Sequence, residues 1–101
     1  MIRYLPSADL TLEHHAAYIG ERNPDAATRF LQAVRAAVST LADNPRKAPA
    51  IDFEEHRLFE IRSLGVPGFR HHRVIYRLAG SDVEVLLIFH TSQNPRRLRD
   101  V

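Results

Sequence analysis

Cysteine is absent from the 101 residues. That removes disulfides, thiolate zinc sites, iron–sulfur clusters and cysteine nucleophiles together. Lysine is nearly absent: Lys47 stands alone among the 14 basic residues, and the rest are arginine. No apolar run approaches the ~18 residues of a membrane-spanning helix. The start, Met1-Ile2-Arg3-Tyr4-Leu5-Pro6, lacks the basic-then-apolar order of a signal peptide. A cytoplasmic protein with no membrane partner is expected. No Gly-x-Ser-x-Gly elbow surrounds Ser63, Ser81 or Ser92, and Gly65, Gly68 and Gly80 read as turn glycines, not a phosphate loop. Neither internal repeats nor low-complexity segments occur.

What is present bounds the rest. A chain of this length makes one domain, residues 1–101, and 45% apolar residues argue against disorder. With no covalent staple, the packed core must carry stability. Charge is unevenly placed: residues 1–60 hold 7 basic and 9 acidic side chains, residues 61–101 hold 7 and 3. A basic C-terminal half suits an acidic partner, nucleic acid or protein. Arginine forks grip phosphates and carboxylates bidentately; the arginine bias equally fits a GC-rich coding sequence.

Residues 1–5 read as a short strand stopped by Pro6. Ser7 is placed to cap a helix whose stripe is Ala8, Leu12, His15, Ala16 and Ile19, with its exit beginning at Gly20. Asn23-Pro24-Asp25 starts a second helix with Phe30, Leu31, Val34, Ala37, Val38 and Leu41 on one face, closed by Asn44-Pro45. So short a connection predicts an antiparallel helical hairpin. Residues 45–56 read as a loop and 57–62 as a strand, with a turn at Gly65-Val66-Pro67-Gly68. Residues 70–78 alternate, His72, Val74, Tyr76 and Leu78 on one side and His71, Arg73, Ile75 and Arg77 on the other. After a turn at residues 79–82, Val83–His90 reads as a central strand buried on both faces, and Asn94-Pro95 allows a short C-terminal helix. The fold class is α+β: a helical hairpin on a small antiparallel sheet, a three-stranded meander with the first strand added at an edge.

The chemistry is sparse. Of the six histidines, His14 and His15 point about 100° apart on a helix and His71 and His72 to opposite faces of a strand, so no metal site is expected. A ribonuclease needs a base, an acid and cations for the pentacoordinate phosphate; Arg73, Arg77 and His90 are the candidates, if they converge on one sheet face.

Leu58-Phe59-Glu60-Ile61-Arg62, Val66-Pro67-Gly68-Phe69, Arg73-Val74-Ile75-Tyr76-Arg77 and Val83–His90, in that order after Tyr18-Ile19, Asn23-Pro24-Asp25-Ala26-Ala27, Arg29-Phe30, Leu41 and Asn44-Pro45, resemble the RelE/ParE toxin superfamily, nearest its ParE branch. The resemblance implies the toxin of a type II toxin–antitoxin pair. Its partner would be a ParD-like or similar antitoxin, with a DNA-binding domain and a tail folding over the toxin. ParE toxins poison DNA gyrase; RelE toxins cut messenger RNA on the ribosome. Arg73 matches a RelE phosphate-binding arginine, but the second catalytic arginine falls at Gln93, no tyrosine follows Tyr76, and the lysine-rich patch is missing. A neutral amide in place of a guanidinium costs about 3 kcal/mol of barrier. The gyrase branch is therefore favoured, with a messenger RNA endonuclease or a non-toxic antitoxin-binding relative as alternatives. ParE chains often read His-Gly-Ala-Arg where this chain reads His90-Thr91-Ser92-Gln93, which bears on its toxicity. Expected antitoxin contacts are the apolar Leu10, Ala17, Ile51 and Phe53 and the cations Arg73, Arg77, Arg96 and Arg97. Expected target contacts are Arg73, Arg77, His90 and Gln93. No cofactor is expected, and nucleic acid enters only through the antitoxin complex.

Overall fold

Asn23 both ends one helix and begins the next. In the computed structural model, which describes residues 1–51 and 60–93, its N–H donates to the Ile19 carbonyl at 3.0 Å. Its side-chain oxygen accepts from the Ala26 N–H at 3.1 Å. This joins α1 (Pro6–Arg22) to α2 (Pro24–Ser39) through a single residue, and the two helices form the expected antiparallel hairpin. α1 departs from expectation at both ends. Pro6, with its fixed φ and no N–H to satisfy, takes the first helical position behind Leu5, and no side chain caps it. Gly20 lies within the last turn; a Cβ there would come 3.4 Å from that of Ala27. Ser7 is freed for another task, described below.

The sheet has four strands in the order β1 (Ile2–Tyr4), β4 (Asp82–His90), β3 (Phe69–Ala79), β2 (Glu60–Val66). β2, β3 and β4 form the expected antiparallel meander. β1 takes the edge but runs parallel to β4, pairing Ile2 with Val83 and Tyr4 with Val85, so the sheet is mixed. The first turn is tighter than Gly65–Gly68: β2 runs on to Val66, leaving only Pro67-Gly68 between the strands. Proline followed by a glycine at φ 84° is the type II pattern. The proposed C-terminal helix and the first half of the strand assigned to 57–62 lie outside the described residues; residues 60–62 are in β2. Residues 49–51 run beside β2, with Ser63 N–H donating to the Pro49 carbonyl and Ile51 N–H to that of Ile61.

The helices cover one sheet face. Phe30, Val34, Val38 and Leu41 meet Val74, Tyr76, Val85 and Ile88 in the main core; each such side chain withdrawn from water contributes about 1.5–3 kcal/mol. Tyr76 is fully buried, and its hydroxyl donates to the Pro45 carbonyl at 2.7 Å, tying the loop after α2 to the sheet. Ile61, Ile75, Leu86 and Leu87 form a second buried cluster on the opposite face.

Leu86 and Leu87 are neighbours in the chain yet share a face. The cause is a β-bulge. Ile75 pairs with Leu87 and Tyr76 with Val85, so Leu86 is an extra residue in β4. A bulge interrupts the ladder, and α1 satisfies the backbone groups around it. The Ser7 hydroxyl donates to the Leu86 carbonyl. Thr11 Oγ1 accepts from the Ile88 N–H at 2.8 Å and donates to the Ser7 carbonyl at 2.8 Å. Past the bulge every side chain changes face. Val83, Val85, Ile88 and His90 point to the helices; Glu84, Leu86, Leu87 and Phe89 point away.

Replacing Thr11 by Val leaves the Ile88 N–H unsatisfied and is expected to cost about 1–3 kcal/mol of unfolding free energy. Thr28→Val, at an exposed hydroxyl of α2, should cost about 0.5 kcal/mol or less. Urea midpoints of the two variants check this; equal losses would deny the bulge its anchor.

Candidate functional site

The outer face of the sheet carries the predicted arginines, and their partners are internal. Glu84, only 7% exposed, lies between Arg3 and Arg77 on the flanking strands, in register with both. Its two oxygens accept from Arg3 at 2.8 Å and from Arg77 at 2.6 Å. Arg73 donates from Nε to the Ser63 hydroxyl at 2.9 Å and from a terminal nitrogen to the Ser63 carbonyl at 2.8 Å. Gly65 leaves room for it, since a Cβ there would lie 3.1 Å from the guanidinium. Arg62 likewise binds Glu60 at 2.6 Å and the carbonyls of Arg46 and Ala48. That bond holds the Glu60 carboxyl below its usual range.

His90 is not with them. The expected convergence of Arg73, Arg77 and His90 on one face fails because the Leu86 bulge turns His90 to the helix side. There it pairs with His72, while Arg77 pairs with Glu84 at the other end of the hairpin. The histidines instead gather, contrary to the expectation from their spacing. His72 and His90 rings meet edge-on at 4.8 Å between centroids, His15 and His72 at 5.3 Å, His71 and His90 at 5.7 Å, and His14 and His15 at 5.4 Å. A second irregularity helps. Between the Val66–Phe69 and Gly65–Arg73 pairs, β3 holds Arg70, His71 and His72 with no β2 residue opposite. His72 also packs on Phe30, 4.8 Å between ring centroids.

Burial, with the neighbouring His15, His90 and His71, pushes the His72 ring down to about 4. His15 is lowered too, by burial first and then by His14 and His90, against the opposing effect of its hydrogen bond to the Ile88 backbone. Among the described residues no group of three or more histidines, cysteines or carboxylates is arranged to hold a metal ion.

The other predicted positions divide. Leu10 is 68% exposed and Ala17 exposed, on the outward side of α1 with His14 and Tyr18. Ile51 packs on the outer cluster, across the sheet from the helices, so these three form no common groove. Gln93 Oε1 accepts from the His90 N–H at 2.8 Å and closes the turn after β4. Phe53, Arg96 and Arg97 lie outside the described residues. The sequence reading missed the meeting of His15 with His72, although each stood on the apolar side of its own element.

A family model of the ParE toxin of the type II toxin–antitoxin system parDE matches residues 2–95. The chain belongs to the ParE toxin family. A solved structure, the chromosomal ParDE toxin–antitoxin system from P. aeruginosa, matches with a TM-score of 0.72 at 16% identity, over 88% of this chain and 92% of that one. At that identity the likeness is one of fold. Comparison with curated protein sequences gave no match. Membership in ParE carries with it an antitoxin as partner. Among the described residues, no helix of this ParE chain is long and apolar enough to cross a membrane.

Two outcomes are expected. Glu84→Gln removes the carboxylate shared by Arg3 and Arg77 and should lower unfolding free energy by about 1–3 kcal/mol, read by urea denaturation; an unchanged midpoint would make the pair ornamental. The folded His72 ring stays neutral down to about pH 4, whereas an unfolded one takes a proton near the ordinary histidine value of 6.5. Unfolding therefore takes up a proton between those values, and stability, full above that window, falls as pH drops through it. The urea midpoint should decline between about pH 7 and pH 5, and His72→Gln should flatten the decline.

Proposed function

We propose that this chain is a non-enzymatic inhibitor of DNA gyrase, neutralised by a ParD-like antitoxin. Family membership supplies the frame, and one geometric observation supports this reading over messenger RNA cleavage. The cation pair and the histidine that a ribonuclease would need lie apart. Arg77 is bound to Glu84 and Arg73 to Ser63, while His90 is on the other face. Gln93 occupies the place of a second arginine and spends its oxygen on the His90 backbone. A phosphate held by Arg73 would have no acid or base beside it from this set. Arg73 and Arg77 then serve as parts of a recognition surface, and the exposed Leu10–Ala17–Tyr18 side of α1 offers apolar contact to the antitoxin. Acidic residues of an antitoxin tail would meet the arginines of the outer face.

Purified protein is expected to inhibit gyrase supercoiling and to trap linearised plasmid, and addition of the antitoxin encoded beside it should reverse both effects. Unimpaired supercoiling at high micromolar protein, together with cleavage of ribosome-bound messenger RNA, would sink the proposal.

A further inference from the structure

The histidines frame a cleft of about 260 Å³ between the C-terminal half of α1 and the ends of β3 and β4. His14, His15, Tyr18, His72, His90 and Gln93 line it, and the Arg22 guanidinium lies over the Tyr18 ring, 5.6 Å from its centroid. Among the described residues that line it there is no carboxylate; the acids of α1 beside it, Glu13 and Glu21, are exposed. Those of the described strands, Glu60, Asp82 and Glu84, stand at the opposite end of the sheet, in register with Leu78, Ala79 and Arg77. The charges acting on His72 are those of His15, His90 and His71. From α2, the apolar ring of Phe30 is what His72 meets.

Burial and the neighbouring rings make His15 and His72 resist protonation. That resistance is relieved by an anion, which accepts hydrogen bonds from the same rings and favours their charged form. Two of the donors are fixed by the bonds their other atoms make. Nδ1 of His90 accepts from the Ser92 N–H at 3.0 Å, which leaves Nε2 to carry the proton. Gln93 uses its oxygen on the His90 N–H, which leaves its NH₂ group to donate. These donors come from a helix, two strands and a turn, and the His72 ring stands at 85° to His90 and 82° to His15, so they suit tetrahedral oxygens better than a flat carboxylate. We propose that this cleft binds a phosphoryl group, taking up protons on its histidines as it does so. The site is separate from the arginine face and does not depend on gyrase being the target.

The test follows the histidine ring resonances of the full chain by NMR while inorganic phosphate is added, against chloride at matched ionic strength. The expected result is saturable shifts at His14, His72 and His90, with binding about tenfold tighter near pH 5.5 than near pH 7.5. A short oligothymidylate, whose phosphodiesters do not titrate in this range, should show the same pH trend. If it binds more tightly than phosphate, the phosphoryl group belongs to a nucleic-acid backbone; if no tighter, to a small molecule. His90→Gln and the exposed His14→Ala should each weaken binding several-fold without loss of fold, whereas His72, packed on Phe30, is left intact. Identical responses to phosphate and chloride, or unchanged binding in both variants, would overturn the assignment. So would tight zinc binding by the same rings with no response to phosphate, or stronger binding of a glutamate-rich peptide.

Discussion

A strand with one residue too many for its neighbour needs hydrogen bonds that the sheet cannot supply, and here α1 supplies them. Ser7 and Thr11, one turn apart, reach the Leu86 carbonyl and the Ile88 N–H. His15, the next residue on that side of the helix, stands against His72 and His90. Two hydroxyl side chains at a spacing of four thus fix where the helix sits along β4. The phase of β4 beyond the bulge follows, and with it which side of the sheet receives His90. Without the extra residue, His90 would share a face with Glu84 and Arg77.

This dependence explains what could be read from the residues alone. The helices were legible because their apolar stripes have a clear period and Asn23-Pro24 is a strong start signal. The pairing of Arg77 with Glu84 was legible in principle, since a two-residue turn at Gly80-Ser81 sets Ala79 opposite Asp82. The bulge was not. Val85-Leu86-Leu87-Ile88-Phe89 is apolar at every position, so either phase buries equally well and the pattern carries no register. The signal lay elsewhere, in two hydroxyls on α1: that of Ser7, which reads as a cap, and that of Thr11. The candidate site inherited that ambiguity, because the placement of His90 hangs on it.

The arginines carry a related lesson. A cation on a strand reads from sequence as a free contact for something acidic, but an acid can come from the adjacent strand. Glu84 is nearly buried and holds two guanidiniums; removing one partner from such a group costs more than forming it gains. The local balance of the outer face is therefore less basic than the charge count of the C-terminal half implies. Among the described residues, Arg70 makes no ion pair at the end of the sheet where it and the histidines stand without a β2 residue opposite.

The parallel pairing of β1 with β4 has a consequence for synthesis. Val83 donates its N–H to the Met1 carbonyl, and the amine of Met1 meets Asp82 at 3.2 Å, so β1 is joined to a strand that follows it by 81 residues. β4 is also the strand on which α1 chiefly packs. A growing chain can form the helical hairpin early but cannot cover its apolar face, nor place its first strand, until residue 90 has left the ribosome. Contacts of such long sequence separation are slow to form and leave apolar surface exposed meanwhile. The finished surface of this toxin thus comes into being in one late step, and truncated products lack the strand that holds it together.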